Sequence, residues 1–213
     1  MNLYDTKTAA PTSSLKGGDA PAVLSWSPDG KTLSALFSRT IHLWDVASGQ
    51  HAENSASLEE VRRWLPEYWV NSACWLDEET MAMGTVFGAC VWDRRSHKIL
   101  RTMYGYPAME RGCCFSPAVR LAAFPAHGLI RLRSLNDGRL LYTLLSLRDD
   151  FTGVVGPEGH WRGAPGLEKQ LVYVVQTEHG QETLAPQEFA RKYGWKNDPS
   201  KATSKADEKK QGQ

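Results

Sequence analysis

No stretch of this sequence approaches the roughly twenty consecutive apolar residues that carry a helix across a bilayer. The opening residues, MNLYDTKTAAPTSSLKGG, also lack the basic start and continuous apolar run of a secretory signal. With Met1 as the true start, the expected location is cytoplasmic, with no membrane partner. Basic charge is not in excess either: lysine and arginine total 25 against 24 acidic residues, a net charge of +1. So even a balance offers no field to draw a phosphate backbone, which argues against nucleic acid as a partner. Cysteine is scarce, and Cys74, Cys90, Cys113 and Cys114 form no CxxC pair and lie near no His at zinc-ligand spacing. They are expected to be reduced, small apolar residues. A GxSxG elbow, a GxxxxGK phosphate loop and an HExxH helix are all missing. The expectation is no enzyme, with no catalytic residue, no metal ligand and no cofactor.

What the chain does contain is a repeat. Leu3-Tyr4-Asp5, Leu43-Trp44-Asp45, Val91-Trp92-Asp93, Leu132-Arg133-Ser134 and Val172-Tyr173-Val174 recur with their central residues 40, 48, 41 and 40 positions apart. A second set keeps step with them: Trp26-Ser27-Pro28-Asp29-Gly30, Trp75-Leu76-Asp77-Glu78, Phe115-Ser116-Pro117 and Val155-Gly156-Pro157-Glu158-Gly159. Two markers in register point to one supersecondary unit used repeatedly. Each unit contains an apolar strand, a Pro/Asp/Gly turn, a second strand such as Thr32 to Phe37, and a third strand ending at the Trp-Asp position. A turn at Gly49 or Gly138 then leads into a fourth strand.

The pattern is clearest in VLSWSPDGKTLSALFSRTIHLWDVASGQ, residues 23 to 50. It resembles the WD repeat, in which four antiparallel strands form one propeller blade. The resemblance covers most of the chain with decreasing fidelity. It implies an all-β fold: a WD40-like β-propeller of bacterial type, incomplete at about three and a half to four blades, with a short C-terminal helix. The structural repeat positions are then Tyr4, Trp26, Trp44, Asp45, Trp75, Trp92, Asp93, Phe115 and Tyr173, with the aromatic near the end of each third strand filling the gap between adjacent sheets. Two features depart from the family. Gly18 stands where the family's Gly-His dipeptide has its His, and Arg133-Ser134 replaces Trp-Asp. Both losses imply weaker polar locking of the blades and more reliance on apolar packing.

The expected organisation is a partial blade over 1–20, holding the end of a third strand and a fourth strand, and blades over 21–56, 70–106 and 107–146. An inserted helix or loop occupies 57–69, a divergent last blade with a C-terminal helix occupies 147–198, and a disordered tail covers 199–213. Pro186 is placed to start that helix, which runs to about 193 with Phe189 and Tyr193 one turn apart and Gly194 ending it. The C-terminal segment is similar to the closing tail of bacterial WD-repeat proteins, including long ones that couple propellers to kinase-like or caspase-like domains. Three assemblies fit a chain that starts inside a repeat: a fragment missing N-terminal blades, a compact four-bladed ring, or a half-ring completed by self-association. The fragment is the favoured expectation.

Two candidate sites emerge. The extra residues of the 48-residue interval lie in His51 to Trp69, where Ser57 and Glu60 form a plausible capping box before an apolar stripe of Val61, Trp64 and Leu65. Trp64, Tyr68 and Trp69 would make an aromatic patch for a protein partner, or would simply fold over the neighbouring blade. Asp149, Asp150, Glu158 and His160 would be the acid/base set of a small-ligand or hydrolytic site at a propeller mouth, or an ordinary polar turn. His42 is expected on a strand face, and Arg94, Arg95, Arg131 and Arg133 on solvated edges. The leading expectation is a non-catalytic scaffold for protein–protein interaction, with the propeller-mouth site as its alternative.

Overall fold

The computed structural model describes residues 2–15, 21, 23–37, 40–51, 56–57, 70–85, 88–104, 112–147, 151–178 and 180–203. They form an all-β fold of antiparallel sheets with one short α-helix among the described residues. Two compact units share the chain, Met1–Ala126 with Ser134–Gly138, and His127–Arg133 with Arg139–Gln213.

In the first unit, β1 (Asn2–Tyr4) pairs with β2 (Pro11–Ser14). A four-stranded sheet follows, in the order β3 (Val23–Trp26), β4 (Thr32–Leu36), β5 (Thr40–Asp45) and β6 (Ala56–Ser57). A second runs through β7 (Ser72–Trp75), β8 (Thr80–Thr85), β9 (Gly88–Asp93) and β10 (Lys98–Tyr104). Next, β11 (Cys114–Ser116) pairs with β12 (Leu121–Ala126).

Short strands bounded by tight turns explain this meander, and the turns repeat. The Asp5 carboxylate accepts hydrogen bonds from the backbone N–H groups of Lys7 (2.8 Å) and Thr8 (2.7 Å). Asp45 accepts from the Ser48 N–H (2.8 Å) and hydroxyl (2.7 Å), and Asp93 accepts from the same two groups of Ser96 (2.7 and 2.6 Å). Ser134 holds this place in the next copy, its hydroxyl accepting from the N–H groups of Asn136 and Asp137 (3.1 and 3.4 Å). Four residues beyond each anchor the backbone turns left-handed: Ala9 (φ +55°), Gly49 (+67°), His97 (+56°) and Gly138 (+77°). The Asp of each Trp-Asp pair therefore has a local use, folding its own turn. Hydrogen bonds from Ser48 and Ser96 hold the Asp45 and Asp93 carboxyls below the usual carboxylate range, and Thr8 does the same for Asp5.

The sheets of this unit stack face on face. Residues directly opposite in an antiparallel pair share a face, so the register Val23↔Leu36, Leu24↔Ala35, Ser25↔Ser34 and Trp26↔Leu33 sorts the β3–β6 sheet into two sides. One side, with Leu36, Ile41 and Leu43, meets Trp75, Met81, Met83, Cys90 and Trp92 of the following sheet. The far side of that sheet, with Ala82, Ala89, Val91 and Met103, meets Ala122 and Phe124 of β12 and partly buried Phe115 of β11. The other side of β3–β6 carries Leu33, Ala35 and Trp44, covered by Leu15 next to β2 and by Leu3 of β1. Burial on both faces is why β8 and β9 are apolar without alternation.

In the second unit, β13 (Leu129–Ser134, of which 129–133 belong here), β14 (Leu140–Ser146), β15 (Thr152–Val155) and β16 (Trp161–Gly163) pair successively. This corrects the blade boundary expected between 146 and 147. The Leu147 N–H donates to the Phe151 carbonyl (2.9 Å), closing a short loop that returns the chain onto the open edge of β14. Residues 152–163 thus extend that sheet instead of starting a new one, because so short a loop permits only a hairpin. A 3-10 helix, Leu167–Gln170, sets Leu167 over Gly153 and Gly163, where an added Cβ would lie 2.3 and 2.4 Å from its side chain.

The hairpin β17 (Tyr173–Thr177) and β18 (Gly180–Leu184) precedes helix α1, Pro186–Tyr193. Pro186 opens the helix and Glu188 accepts from the Ala185 N–H (2.9 Å). Gly194, at φ +66°, ends it by donating to the Ala190 carbonyl (2.9 Å). Phe189 stacks on Tyr173 with centroids 4.4 Å apart. The disorder expected over 199–213 does not describe its first five residues. Pro199–Thr203 is a 3-10 helix with Ala202 at 0% exposure, seated on Gly156, where any Cβ would crowd its backbone at 3.1 Å.

Candidate functional site

The candidate acid/base set does not assemble among the described residues. Glu158 faces solvent on its turn, and no hydrogen bond or ion pair joins it to His160. His160 is buried and committed to the tail: its Nδ1 accepts from the Asp198 N–H at 3.0 Å, and its ring stacks on Trp195 at 4.9 Å. Asn197 reinforces the contact by bonding both the N–H and the carbonyl of Trp161 (2.8 and 2.9 Å). His160 therefore anchors residues 195–203 onto β16. Asp149 and Asp150 lie outside the described residues, as do Trp64, Tyr68 and Trp69 of the aromatic patch. Ser57 ends β6, while Glu60, Val61 and Leu65 are also outside. Among the described residues, no group of three or more His, Cys, Asp or Glu side chains could hold a metal ion.

His42 and His51 approach each other, Nδ1 to Nε2 at 2.6 Å, between the rings of Phe37 and Trp44. Burial, and after it the charge of His51, holds the His42 imidazole below its ordinary range. Contact this close lets one proton be shared, while protonation of both rings is repulsive.

The structural repeat positions divide by exposure. Trp44, Trp75 and Trp92 are buried, Phe115 and Tyr173 are half-buried, and Asp45 and Asp93 serve their turns. Tyr4 departs from the expected gap-filling role at 58% exposed, and Trp26 is 50% exposed. Trp26 lies on the side of β3 that also carries Leu24, itself 48% exposed, and both share that face with Leu33 and Ala35 of β4.

The contrast with Trp75 explains the exposure. Trp26 and Trp75 both end the first strand of their sheet, and each points back toward the preceding sheet. Trp75 finds a second strand there, and its indole Nε1–H donates to the Ser34 hydroxyl of β4 at 3.1 Å. On the corresponding side of the β3–β6 sheet, Leu3 and Leu15 pack on Leu33, Ala35 and Trp44, and Leu24 and Trp26 stay about half exposed. An apolar face is thus covered over β4 and β5 and bare over β3.

No family model matches the sequence, and no curated protein does. Among solved structures the chain is similar to Kuenenia stuttgartiensis hydrazine synthase, at 12% identity and a TM-score of 0.48, over 78% of this chain and 59% of that one. The chain spans less than two thirds of that protein, and so slight a likeness carries no argument.

Proposed function

We propose that this chain is a non-catalytic scaffold of WD-repeat type, part of a β-propeller, that binds a protein partner through its exposed sheet surface. The recurrent turns anchored by Asp5, Asp45, Asp93 and Ser134, in step with sheets that stack in sequence order, support the repeat reading. The observation that carries the binding reading is the half-exposed pair Leu24 and Trp26 on a face otherwise filled by packing. Large aromatics at the edge of an apolar face are the usual anchors of protein interfaces.

Co-purification under native conditions, followed by crosslinking mass spectrometry, tests this reading. A stoichiometric protein partner crosslinked around β1 and β3 supports it. Turnover of ester, glycoside or phosphate substrates that disappears in Glu158→Gln or His160→Asn overturns the non-catalytic half.

A further inference from the structure

We infer that His42 and His51 form a two-imidazole site for a late first-row divalent metal ion, Cu2+ or Zn2+, beside the turn that leaves β5. The site does not depend on the scaffold reading.

The register of the sheet brings the two rings together. Residues two apart in a strand share a face, so His42 and Trp44 of β5 lie on the same side as Ala35 and Leu33, their partners on β4. His51 returns opposite Trp44 in an antiparallel bridge, which makes it the diagonal neighbour of His42 on that side. The turn between them is closely bonded: Asp45 donates its N–H to the Gln50 carbonyl (3.0 Å) and Gly49 donates to the Asp45 carbonyl (2.9 Å). Aromatic rings then orient the imidazoles. Phe37 meets His42 edge-on at 4.9 Å, and Trp44 stacks on His42 at 5.8 Å and meets His51 edge-on at 5.1 Å. His42 Nδ1 comes to lie 2.6 Å from His51 Nε2. Two ring nitrogens aimed at one point are thus in place before any ligand arrives, which lowers the cost of binding one.

The fold itself does not call for imidazoles here. In the next sheet Cys90 and Ile99 take the matching places, since Cys90 pairs with Met83 as His42 pairs with Ala35, and Ile99 lies opposite Trp92 as His51 lies opposite Trp44. Both pack as apolar side chains into the core between the sheets. The histidines bring ligand chemistry that this packing does not need.

Imidazole nitrogen suits Cu2+, Ni2+ and Zn2+, whereas Mg2+ and Ca2+ take oxygen. Metal–imidazole bonds of about 2.0–2.1 Å set two ligand nitrogens about 3 Å apart, so the rings must part by about half an ångström. His51 is exposed beyond the turn and can give that much. Only one N–H lies between the neutral rings. As the ion enters, the ring that carried it takes its proton at its other nitrogen, no net proton is lost, and both lone pairs face the metal. No third His, Cys, Asp or Glu joins the pair among the described residues, so water completes the coordination.

Cu2+ titrated into the full-length chain at neutral pH, in a weakly coordinating buffer, is expected to bind saturably, and electron paramagnetic resonance to show coupling to two ring nitrogens. His42→Gln and His51→Gln each weaken binding roughly tenfold or more, because one imidazole alone keeps no chelate. His97→Gln, whose exposed ring stacks on Trp92 after the next Asp turn, leaves binding unchanged. Zn2+ competes for the site and raises the melting temperature of the natural chain but of neither variant, while Mg2+ does neither. Circular dichroism checks that the variants fold. Coupling to a single nitrogen, binding at full strength in both variants, or no saturable binding overturns the site. None of these readouts involves a protein partner, so such a failure leaves the scaffold reading to its own test.

Discussion

Trp75 donates its indole N–H to the Ser34 hydroxyl at 3.1 Å, joining two stacked sheets through a fully buried pair. The bond matters less for its net strength than for what its loss strands. Removing the hydroxyl leaves a buried N–H with neither a protein nor a water partner, a penalty of about 1–3 kcal/mol.

Ser34→Ala is therefore expected to lower unfolding free energy by about 1–3 kcal/mol in a denaturant titration. Combining it with Trp75→Phe restores part of the loss, because a phenyl ring has no polar hydrogen to leave unpaired. A double-mutant cycle showing strict additivity contradicts the coupling.

The left-handed turn positions make a backbone prediction. Gly49→Ala meets nothing closer than the Ser14 carbonyl at 3.9 Å, so its cost is conformational, about 1–2 kcal/mol. Ala9, exposed at φ +55°, bears that strain already, and Ala9→Gly should be neutral or stabilising by up to about 1 kcal/mol. Opposite shifts in melting temperature check both; a loss of stability in Ala9→Gly contradicts the strain.

Acid should weaken the turns. The Asp5, Asp45 and Asp93 carboxyls titrate lower in the folded chain than when unfolded, so their stabilisation is complete above the ordinary carboxylate range, near pH 4, and fades as pH falls through it. Their exposure keeps the effect small. Asp45→Asn combined with Asp93→Asn is expected to flatten the acid limb of the stability profile; an unchanged limb rules these turns out as its source.

His42 titrates in a separate window. His42 is held below its ordinary range, so the folded chain resists its protonation, and stability is lost as pH falls below about 6.5. His51→Gln removes the partner charge and should shrink that dependence, as read from melting temperature between neutral and mildly acidic buffer.

Thiol labelling should separate the cysteines. Burial pushes the Cys90 thiol up to about 12 and Cys113 up to about 11, while Cys114 lies exposed. Iodoacetamide at neutral pH is expected to modify Cys114 first, and Cys90 and Cys113 only on unfolding. Equal rates under native conditions contradict this burial.

Much of the local structure was legible because it depends on neighbours in the chain. Pro186, Glu188 and Gly194 mark helix α1 by chemistry confined to its own ends. Gly49 and Gly138 announce their turns, whereas Ala9 and His97 adopt the same conformation without a glycine to signal it. The candidate site was less legible. His160 looked available because its partner, the Asp198 N–H, lies 38 residues away, beyond the C-terminal helix.

By itself the sequence determined the antiparallel β class, the period near forty residues, and the turns where strands end, since each follows from local residue types and spacing. Only the tertiary structure decided which equivalent residues are buried. Trp26 and Trp75 are the same amino acid at the same repeat position, one 50% and the other 2% exposed. The difference lies in whether a second strand stands opposite among the described residues, because burial belongs to the pair of surfaces that meet and not to either residue alone.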